Sequence, residues 1–426
     1  MSRLSLPDVS RETALVVGLV GGAEFVNHTY LVLFPPILGV LAEEFGVSLA
    51  LLGVAMGVQG ATNTAFQLPF GYLSDNYDRR IALGLSMALS AASVFLIAFA
   101  PTFEVLLVGQ ALLGIGVAGH HPVHFPLLAD ATPEDLRARA FSVRGFLGTL
   151  GFGAVPIAFT GLLGLQGVTW RHAVALVGLF GAGYAALMLA CFQRYVSADV
   201  TAPGDDAGGR SDDSPPLGVR VRRELRTILA APGVLALAVL ALVASTASWG
   251  LTSYAVVLLS DGYGLALDAA NLAYSAMFGV GAVMVLVGGD LSDRFSPGPI
   301  LVGTYAVLVV FVGLLASLAI PALAAAACLL VVGGVRTLAG PARSKLADEL
   351  SARSDLGRNF AIITVGIMAG NAVAPPLFGA LIETSGLRVA FATVAAISVL
   401  AVVVTLYVLY RERGTRRESG GAVEAE

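Results

Sequence analysis

Glu24, Asn27, His28 and Leu31 stand at i, i+3, i+4 and i+7, a spacing that sets them on one face of a helix. Counted from Thr13, where an apolar run begins, Glu24 lies roughly 16 Å along the helix axis at 1.5 Å per residue. An ionisable group that deep in an apolar run is costly and is a functional candidate by default. A carboxyl beside an imidazole can take up and hand on a proton, so Glu24 is expected to be a proton-coupling group with His28 as its partner. The alternative is a neutral Glu24 hydrogen-bonded to a neighbouring helix. His120, His121 and His124 form a second cluster, and histidine changes charge near neutral pH, which suits a contact to a proton or a substrate. His120 and His124 also have the i, i+4 spacing of a metal-binding pair. Pro122 disturbs that helix and no Cys or acid joins the pair at ligand spacing, so no metal site and no other cofactor is expected.

Two arginines lie where charge is expensive. The turn after the fourth apolar run is centred near Glu134, so antiparallel packing about it places Arg144 close to His124 and Phe125. Arg336 precedes Arg343 by seven residues, about 10 Å along a helix. It either snorkels to the interface or binds an anionic solute. Gln59, Asn63 and Gln67 recur every four residues, a stripe that either lines a route or bridges helices. Asn371, with Thr364 seven residues before it, makes a thinner stripe.

The elements that position these residues are apolar helices. The chain has 426 residues, 57% hydrophobic and 13% charged, with mean hydropathy +0.83, whereas soluble domains carry about 25% charged residues. Fifty glycines suit close helix packing in lipid. A span needs about 20 apolar residues, and twelve are expected. The first six are Thr13–Leu41, Ser48–Leu73, Ile81–Ala100, Phe103–Leu128, Ala138–Leu163 and Trp170–Gln193. The second six are Ile228–Ser260, Ala269–Leu291, Pro299–Leu318, Ala319–Ala342, Asn359–Ile382 and Leu387–Tyr410. The first run is long and lacks a small-residue cleavage site, so it reads as a span rather than a removable leader. Cys191 and Cys328 lie in apolar runs and read as small core residues, not a disulfide. The expected organisation is a helix bundle over residues 1–195, a polar linker over 196–227, a second bundle over 228–410 and a charged tail over 411–426. Arg220, Arg222, Arg223 and Arg226 at the end of the linker read as a solvated segment beside anionic lipid.

With both termini in the cytoplasm, 22 of the 25 lysines and arginines fall on the inside, Arg171 and Arg388 fall outside, and Arg336 lies within a span. The positive-inside rule therefore supports that orientation and an even number of spans. The two sets of six are also related in sequence. Gly71-Tyr72-Leu73-Ser74-Asp75 recurs as Gly289-Asp290-Leu291-Ser292-Asp293, and Leu128-Ala129-Asp130 as Leu346-Ala347-Asp348. Arg139-Ala140-Phe141 matches Arg358-Asn359-Phe360, Pro156 matches Pro375, and Arg171-His172-Ala173 matches Arg388-Val389-Ala390. Five matches in order at nearly one offset mark an internal duplication. A repeat of six helices preserves orientation, so the halves are parallel copies about an axis along the membrane normal, with a cavity between them near the midplane.

The segment Gly71-Tyr72-Leu73-Ser74-Asp75-Asn76-Tyr77-Asp78-Arg79-Arg80 resembles the signature loop of the major facilitator superfamily, which joins the second and third helices there. The resemblance implies a gate built from Gly71, Asp75, Arg79 and Arg80, with Gly289, Asp293 and Arg294 in the second copy. Gly71 and Gly289 would allow close helix contact, and Asp75 would face the N-terminus of the eleventh helix, where the dipole favours negative charge. Phe25-Val26-Asn27-His28, His121-Pro122 and Arg139-Ala140-Phe141-Ser142 are similar to the fosmidomycin-resistance-like drug-efflux branch, although Val123 stands where an acid commonly follows His-Pro. Gly145, Gly148, Gly151, Gly153 and Pro156 partly match the superfamily's antiporter pattern.

These observations point to a proton-coupled secondary transporter of a small organic solute, working by alternating access, with export as the expected direction. An organic-anion importer using Arg336 and Arg144 is the alternative within transport, and a transporter-shaped sensor is the alternative outside it. No phosphate loop, nucleophile elbow or metalloprotease motif is present, so neither an enzyme nor an ATP-driven pump is expected. The net charge of −4 gives no reason to expect nucleic acid. The expected partners are the solute, protons and the lipid bilayer of the plasma membrane, and the expected state is a monomer.

Overall fold

The computed structural model describes residues 9–202, 232–349 and 356–423, with side chains described except at 232–234, 356–361 and 412–423. Most of the expected linker, its arginine stretch, Arg353 and the charged side chains of the tail beyond Arg411 lie outside the described residues. The described residues contain helices and no strand.

Eleven stretches are long and apolar enough to cross a membrane. The last, Ile362–Arg411, has 50 residues and is broken at Gly386, whose φ of 83° and ψ of 168° are non-helical. Only glycine adopts such a conformation without cost, and the break makes twelve spans. They are α1 (Arg11–Phe45), α2 (Leu49–Asn76), α3 (Arg79–Ala98), α4 (Phe103–Ala131), α5 (Arg137–Leu163) and α6 (Trp170–Tyr195). After them come α7 (Pro232–Val257), α8 (Leu267–Arg294), α9 (Pro297–Ser317), α10 (Ala322–Glu349), α11 (356–385) and α12 (387–423). The expected tenth span begins three residues later than the sequence indicated, because Pro321 caps it and Leu318 turns the chain with a φ of 51°. Cys191 and Cys328 are free.

Several starts are fixed by side chains that satisfy the open N–H groups of a first turn. Ser10 Oγ accepts from the amide of Thr13 at 3.0 Å, Ser48 Oγ from Leu51 at 3.3 Å and Asp78 Oδ1 from Arg80 at 2.8 Å. Three spans are interrupted. α1 leaves the α-helical path at Val32 and resumes at Leu38 after a 3₁₀ turn over Pro35–Ile37, since Pro35 and Pro36 have no N–H to continue the helical ladder. α4 breaks at Gly119. α10 breaks at Thr337 and Leu338, which sit at the same place in the second half by the repeat offset of 218.

The helices form two parallel-related six-helix bundles, α1–α6 and α7–α12, that meet along two antiparallel seams. In one, α2 lies on α11. A methyl group added to Gly53 would stand 2.5 Å from Pro375 O, one on Gly57 2.8 Å from Ala372 O, and one on Gly60 2.9 Å from Ala372 Cα. In the other, α5 lies on α8, with the same construction at Gly153 reaching Ser275 O at 3.1 Å and at Gly145 reaching Val285 at 3.6 Å. The duplication exchanges α2 with α8 and α5 with α11, so the seams are copies of one contact. Small residues let these backbones approach.

The membrane side carrying the chain's N-terminus is termed the near side, and the other the far side. On the far side the halves are tied together. Tyr254 Oη donates to Leu49 O at 3.4 Å, and Asn271 Nδ2 donates to Pro36 O at 3.2 Å. Within the first bundle, Arg171 holds the far ends of three helices, donating to Ala98 O at 3.0 Å and Ala100 O at 2.7 Å and pairing with Glu44 at 2.7 Å. On the near side the α2–α11 contacts end with Gln67 Nε2 on Met368 Sδ at 3.3 Å.

Candidate functional site

The first bundle holds one compact polar cluster. Glu24, from the middle of α1, is 2% exposed. Its Oε1 accepts from Arg144 Nη2 of α5 at 2.6 Å and lies 3.4 Å from His28 Nε2 and 4.0 Å from His121 Nδ1. Its Oε2 lies 3.2 Å from His124 Nδ1. Arg144 Nη2 also lies 2.9 Å from His121 Nδ1, and its guanidinium sits 4.6 Å over the Phe125 ring. His120 stands behind His124 with ring centres 4.2 Å apart, anchored by Nε2 on Ala23 O at 2.7 Å. The helix path explains the convergence. The break at Gly119 starts a new helix whose first five residues include His120, His121 and His124. Gly148 of α5 leaves room for it, since a Cβ there would lie 2.7 Å from Glu24 Cγ and 2.8 Å from His28 Nδ1.

Arg144 was counted with the near-side loops in the charge split, and the structure corrects this. It lies in α5 and points into the core, where Glu24 compensates its charge. Glu24 and His124 are buried to 2% and 0%, whereas His28 and His121 keep 16% and 29% of their side-chain surface accessible. Two partly accessible imidazoles thus flank a carboxylate that water reaches poorly.

Ligand atoms of Glu24, His120 and His124 lie within 4.8 Å of one another, which is metal-site spacing. The neighbouring guanidinium on Glu24 and the engagement of His120 Nε2 with a carbonyl both oppose a divalent cation there.

The second bundle carries a different centre. Arg336 ends the first segment of α10 and donates from Nη1 to Thr252 Oγ1 at 2.7 Å and to Ser248 Oγ at 3.3 Å. Thr252 lies well along α7 toward the far side, so the side chain reaches away from the near interface, the reverse of snorkelling. Arg336 and Arg343 line a cavity of about 310 Å³ together with Ser248, Trp249, Tyr305 and Thr337. An aromatic file joins the two centres. His28 stacks on Phe152 at 4.1 Å, Phe152 stacks on Phe278 at 5.1 Å and meets Trp249 edge-on at 6.2 Å, and Arg336 lies 4.9 Å over Phe278.

Other expected residues are more scattered. Gln59 is buried and donates to Tyr30 O at 3.4 Å. Asn27, Asn63 and Asn371 are buried, and the Oδ1 atoms of Asn27 and Asn63 have no hydrogen-bond partner among the described residues. Asn371 lies on the α2–α11 seam against Gly60. In the loop after α2, Arg79 is buried and paired with Asp130, and Arg80 pairs with Asp78. Asp75 and Asp293 are exposed, and the residues at the start of α11 that Asp75 was expected to face have side chains outside the described set. Neither Gly71 nor Gly289 stands at a close crossing. A Cβ on Gly71 would meet Pro122 at an ordinary 3.8 Å, and one on Gly289 would meet nothing within 4 Å, because the tight seams lie farther from the near side. Arg294 pairs with Asp290 at 3.0 Å.

Sequence reasoning missed Phe152, Phe278, Trp249, Ser248 and Thr252. The i, i+4 pair Ser248 and Thr252 beside one of the chain's two tryptophans was a readable signal. Nothing in their spacing marks the two phenylalanines.

Residues 20–341 and 239–425 match the sequence profile of the Major Facilitator Superfamily. Inner membrane transport protein YajR of Escherichia coli K12 is 32% identical over 132 residues, 30% of this chain and 29% of that protein. The class G tetracycline resistance protein of Vibrio anguillarum is 30% identical over 188 residues, 43% of this chain and 46% of that protein. The purine ribonucleoside efflux pump NepI of Escherichia coli O127:H6 is 29% identical over 176 residues, 39% of each chain. The alignments thus span under half the length of these relatives. Among solved structures, a bacterial homologue of the human lysosomal transporter Spinster, inward-facing and occupied, superposes with a TM-score of 0.75 at 16% identity over 94% of this chain and 97% of the other. A D-xylose–proton symporter gives a TM-score of 0.75 at 15% identity over 93% and 96%.

Proposed function

The chain belongs to the Major Facilitator Superfamily, and from that premise we propose that it is a proton-coupled exporter whose coupling centre is Glu24 with Arg144, His28, His121 and His124. Secondary transport of small solutes across membranes is the superfamily's activity, and its members are not enzymes; this chain is a multi-pass plasma-membrane protein. The observation that carries the proposal is a carboxylate buried to 2% between a permanent cation and three imidazoles. Arginine does not lose its proton in proteins, so it holds the Glu24 anion in place while the imidazoles exchange protons with the accessible side. His28 is the member of the cluster that stacks on Phe152, which in turn touches Phe278 and Trp249 of the other bundle. Rocking of the halves, 1–195 against 228–410, alters that stack and with it the contact between His28 and Glu24.

Export as the direction is supported by the resemblance of Phe25–His28 and His121-Pro122 to the drug-efflux branch. It is also supported by the two efflux-type relatives, the tetracycline resistance protein and the purine ribonucleoside efflux pump. The excess of arginine and lysine on the near side supports cytoplasmic termini. One chain contains both halves, so a monomer suffices for the cycle.

The test is transport by Glu24→Gln in proteoliposomes. Solute exchange without a gradient is expected to persist, while accumulation driven by an imposed pH gradient is lost. Gradient-driven accumulation equal to wild type would overturn the assignment.

A further inference from the structure

Two arginines inside the spans, Arg144 and Arg336, differ in what balances them. Arg144 is paired with Glu24 at 2.6 Å. Arg336 has no carboxylate within 4.0 Å among the described residues, and the hydroxyls that hold its Nη1 are neutral. No acidic side chain lines the cavity that Arg336 shares with Arg343. A half-buried cation at membrane depth without a counter-charge is costly. Such a charge is kept where a ligand supplies the missing anion.

We propose that this cavity is the binding site for a small organic anion with an apolar body, the anionic group seated on Arg336. The proposal rests on the transporter reading above and supplies its substrate class. The guanidinium is oriented from two directions. Phe278 lies beneath it at 4.9 Å, and Ser248 and Thr252 hold Nη1. Its other N–H groups make no hydrogen bond to the described residues, and Arg336 lines the cavity. A planar fork with free donors recognises a carboxylate or phosphate-type oxyanion through two parallel hydrogen bonds. Leu308, Val312, Val332 and Ile367 provide the apolar wall. Arg343, beyond the break at Thr337 and Leu338, lines the same cavity, where it meets a second polar group of a longer solute. A volume of about 310 Å³ is at the small end for ligand pockets.

The site has a built-in reporter. Trp249 lines the cavity, and the chain's other tryptophan, Trp170, lies at the far end of α6 beside Glu44. In a Trp170→Phe background, Trp249 fluorescence of the purified full chain is titrated with benzoate and phenyl phosphate, and with the neutral benzamide and the cationic benzylamine. Saturable changes are expected with the anions and not with the other two. A charged hydrogen-bonding partner contributes enough that Arg336→Ala should weaken anion binding about ten- to hundred-fold. Arg336→Lys should recover part of the loss, and Ser248→Ala should weaken binding a few-fold through lost orientation. Asp78→Ala, at the near-side start of α3 and outside both centres, should bind the anions like wild type. The inference is overturned if neither anion gives a saturable change, if benzamide or benzylamine binds as tightly, or if folded Arg336→Ala and Ser248→Ala both bind like wild type. Failure of the coupling proposal would instead appear as gradient-driven transport by Glu24→Gln with anion binding intact.

Discussion

Replacing Glu24 with Gln leaves the Arg144 guanidinium in the core without its counter-charge. The pair is close, at 2.6 Å, and its carboxylate is 2% exposed and its arginine 10%. Removing one partner of such a pair costs about 3–5 kcal/mol, because the other charge stays buried, whereas removing both is often nearly neutral. Glu24→Gln is therefore expected to cost about 3–5 kcal/mol, and the double variant Glu24→Gln, Arg144→Gln much less than the sum of the single losses. The difference is a coupling energy of at least about 3 kcal/mol, equivalent to a factor of about 160 at 1.36 kcal/mol per decade. Arg144→Gln alone should be milder than Glu24→Gln, since a stranded carboxylate can take up a proton and a guanidinium cannot shed one. The measurement is equilibrium unfolding of the four proteins in mixed micelles at neutral pH. Single losses below about 1 kcal/mol each that simply add in the double variant would refute the reading of the pair as a buried, mutually dependent unit.

Two further perturbations test the frame around the site. Gly57→Leu places a side chain where even a Cβ would stand 2.8 Å from Ala372 O and 2.9 Å from Pro376 Cδ. It should hold the far side apart, so that a cysteine introduced at the buried Pro375 becomes accessible to an impermeant thiol reagent; unchanged protection would show that the seam yields. Asp78 caps α3 and pairs with Arg80. Burial alone would raise its carboxyl, but the Arg80 side chain, amide and charge together hold it below the usual aspartate value. The stability it contributes is therefore full above the ordinary aspartate value and lost as pH falls through the lower folded one. Asp78→Ala should cost about 1 kcal/mol at neutral pH and progressively less in acid, read as midpoint shifts along a pH series; a pH-independent difference would reject the account.

The local parts of the site were legible from spacing. Glu24 and His28 are one turn apart on a single helix, and Arg144 with Phe125 followed from antiparallel packing about a known turn. The contacts between helices distant in sequence were not legible. Nothing in the pattern brings His124 to Glu24, because the break at Gly119 sets the aim of that turn. Arg336 left two choices open, since spacing fixes its depth but not the direction in which its long side chain leaves the helix. Gly71 and Gly289 were expected at tight crossings, while the glycines that are pressed against a neighbour are Gly53, Gly57 and Gly60. A glycine's neighbour is decided by where two helices cross, and that depends on the tilt of the whole bundle. Phe152 and Phe278 are silent in sequence because an aromatic in an apolar run looks the same whether it faces lipid or joins two sites.

The matching interruptions of α4 and α10 bear on how such a machine arose. A shared break at one offset places the discontinuity before the duplication, as inherited architecture, and the chemistry after it. One copy fitted the loosened turn with three histidines, whose charge comes and goes; the other set beside it an arginine, whose charge never leaves. An ancestor made of two identical halves would have owned the hinge without any division of labour. A chain rebuilt from two copies of the second half should accordingly lack the Glu24 cluster altogether, and one rebuilt from two copies of the first half should lack the cavity around Arg336.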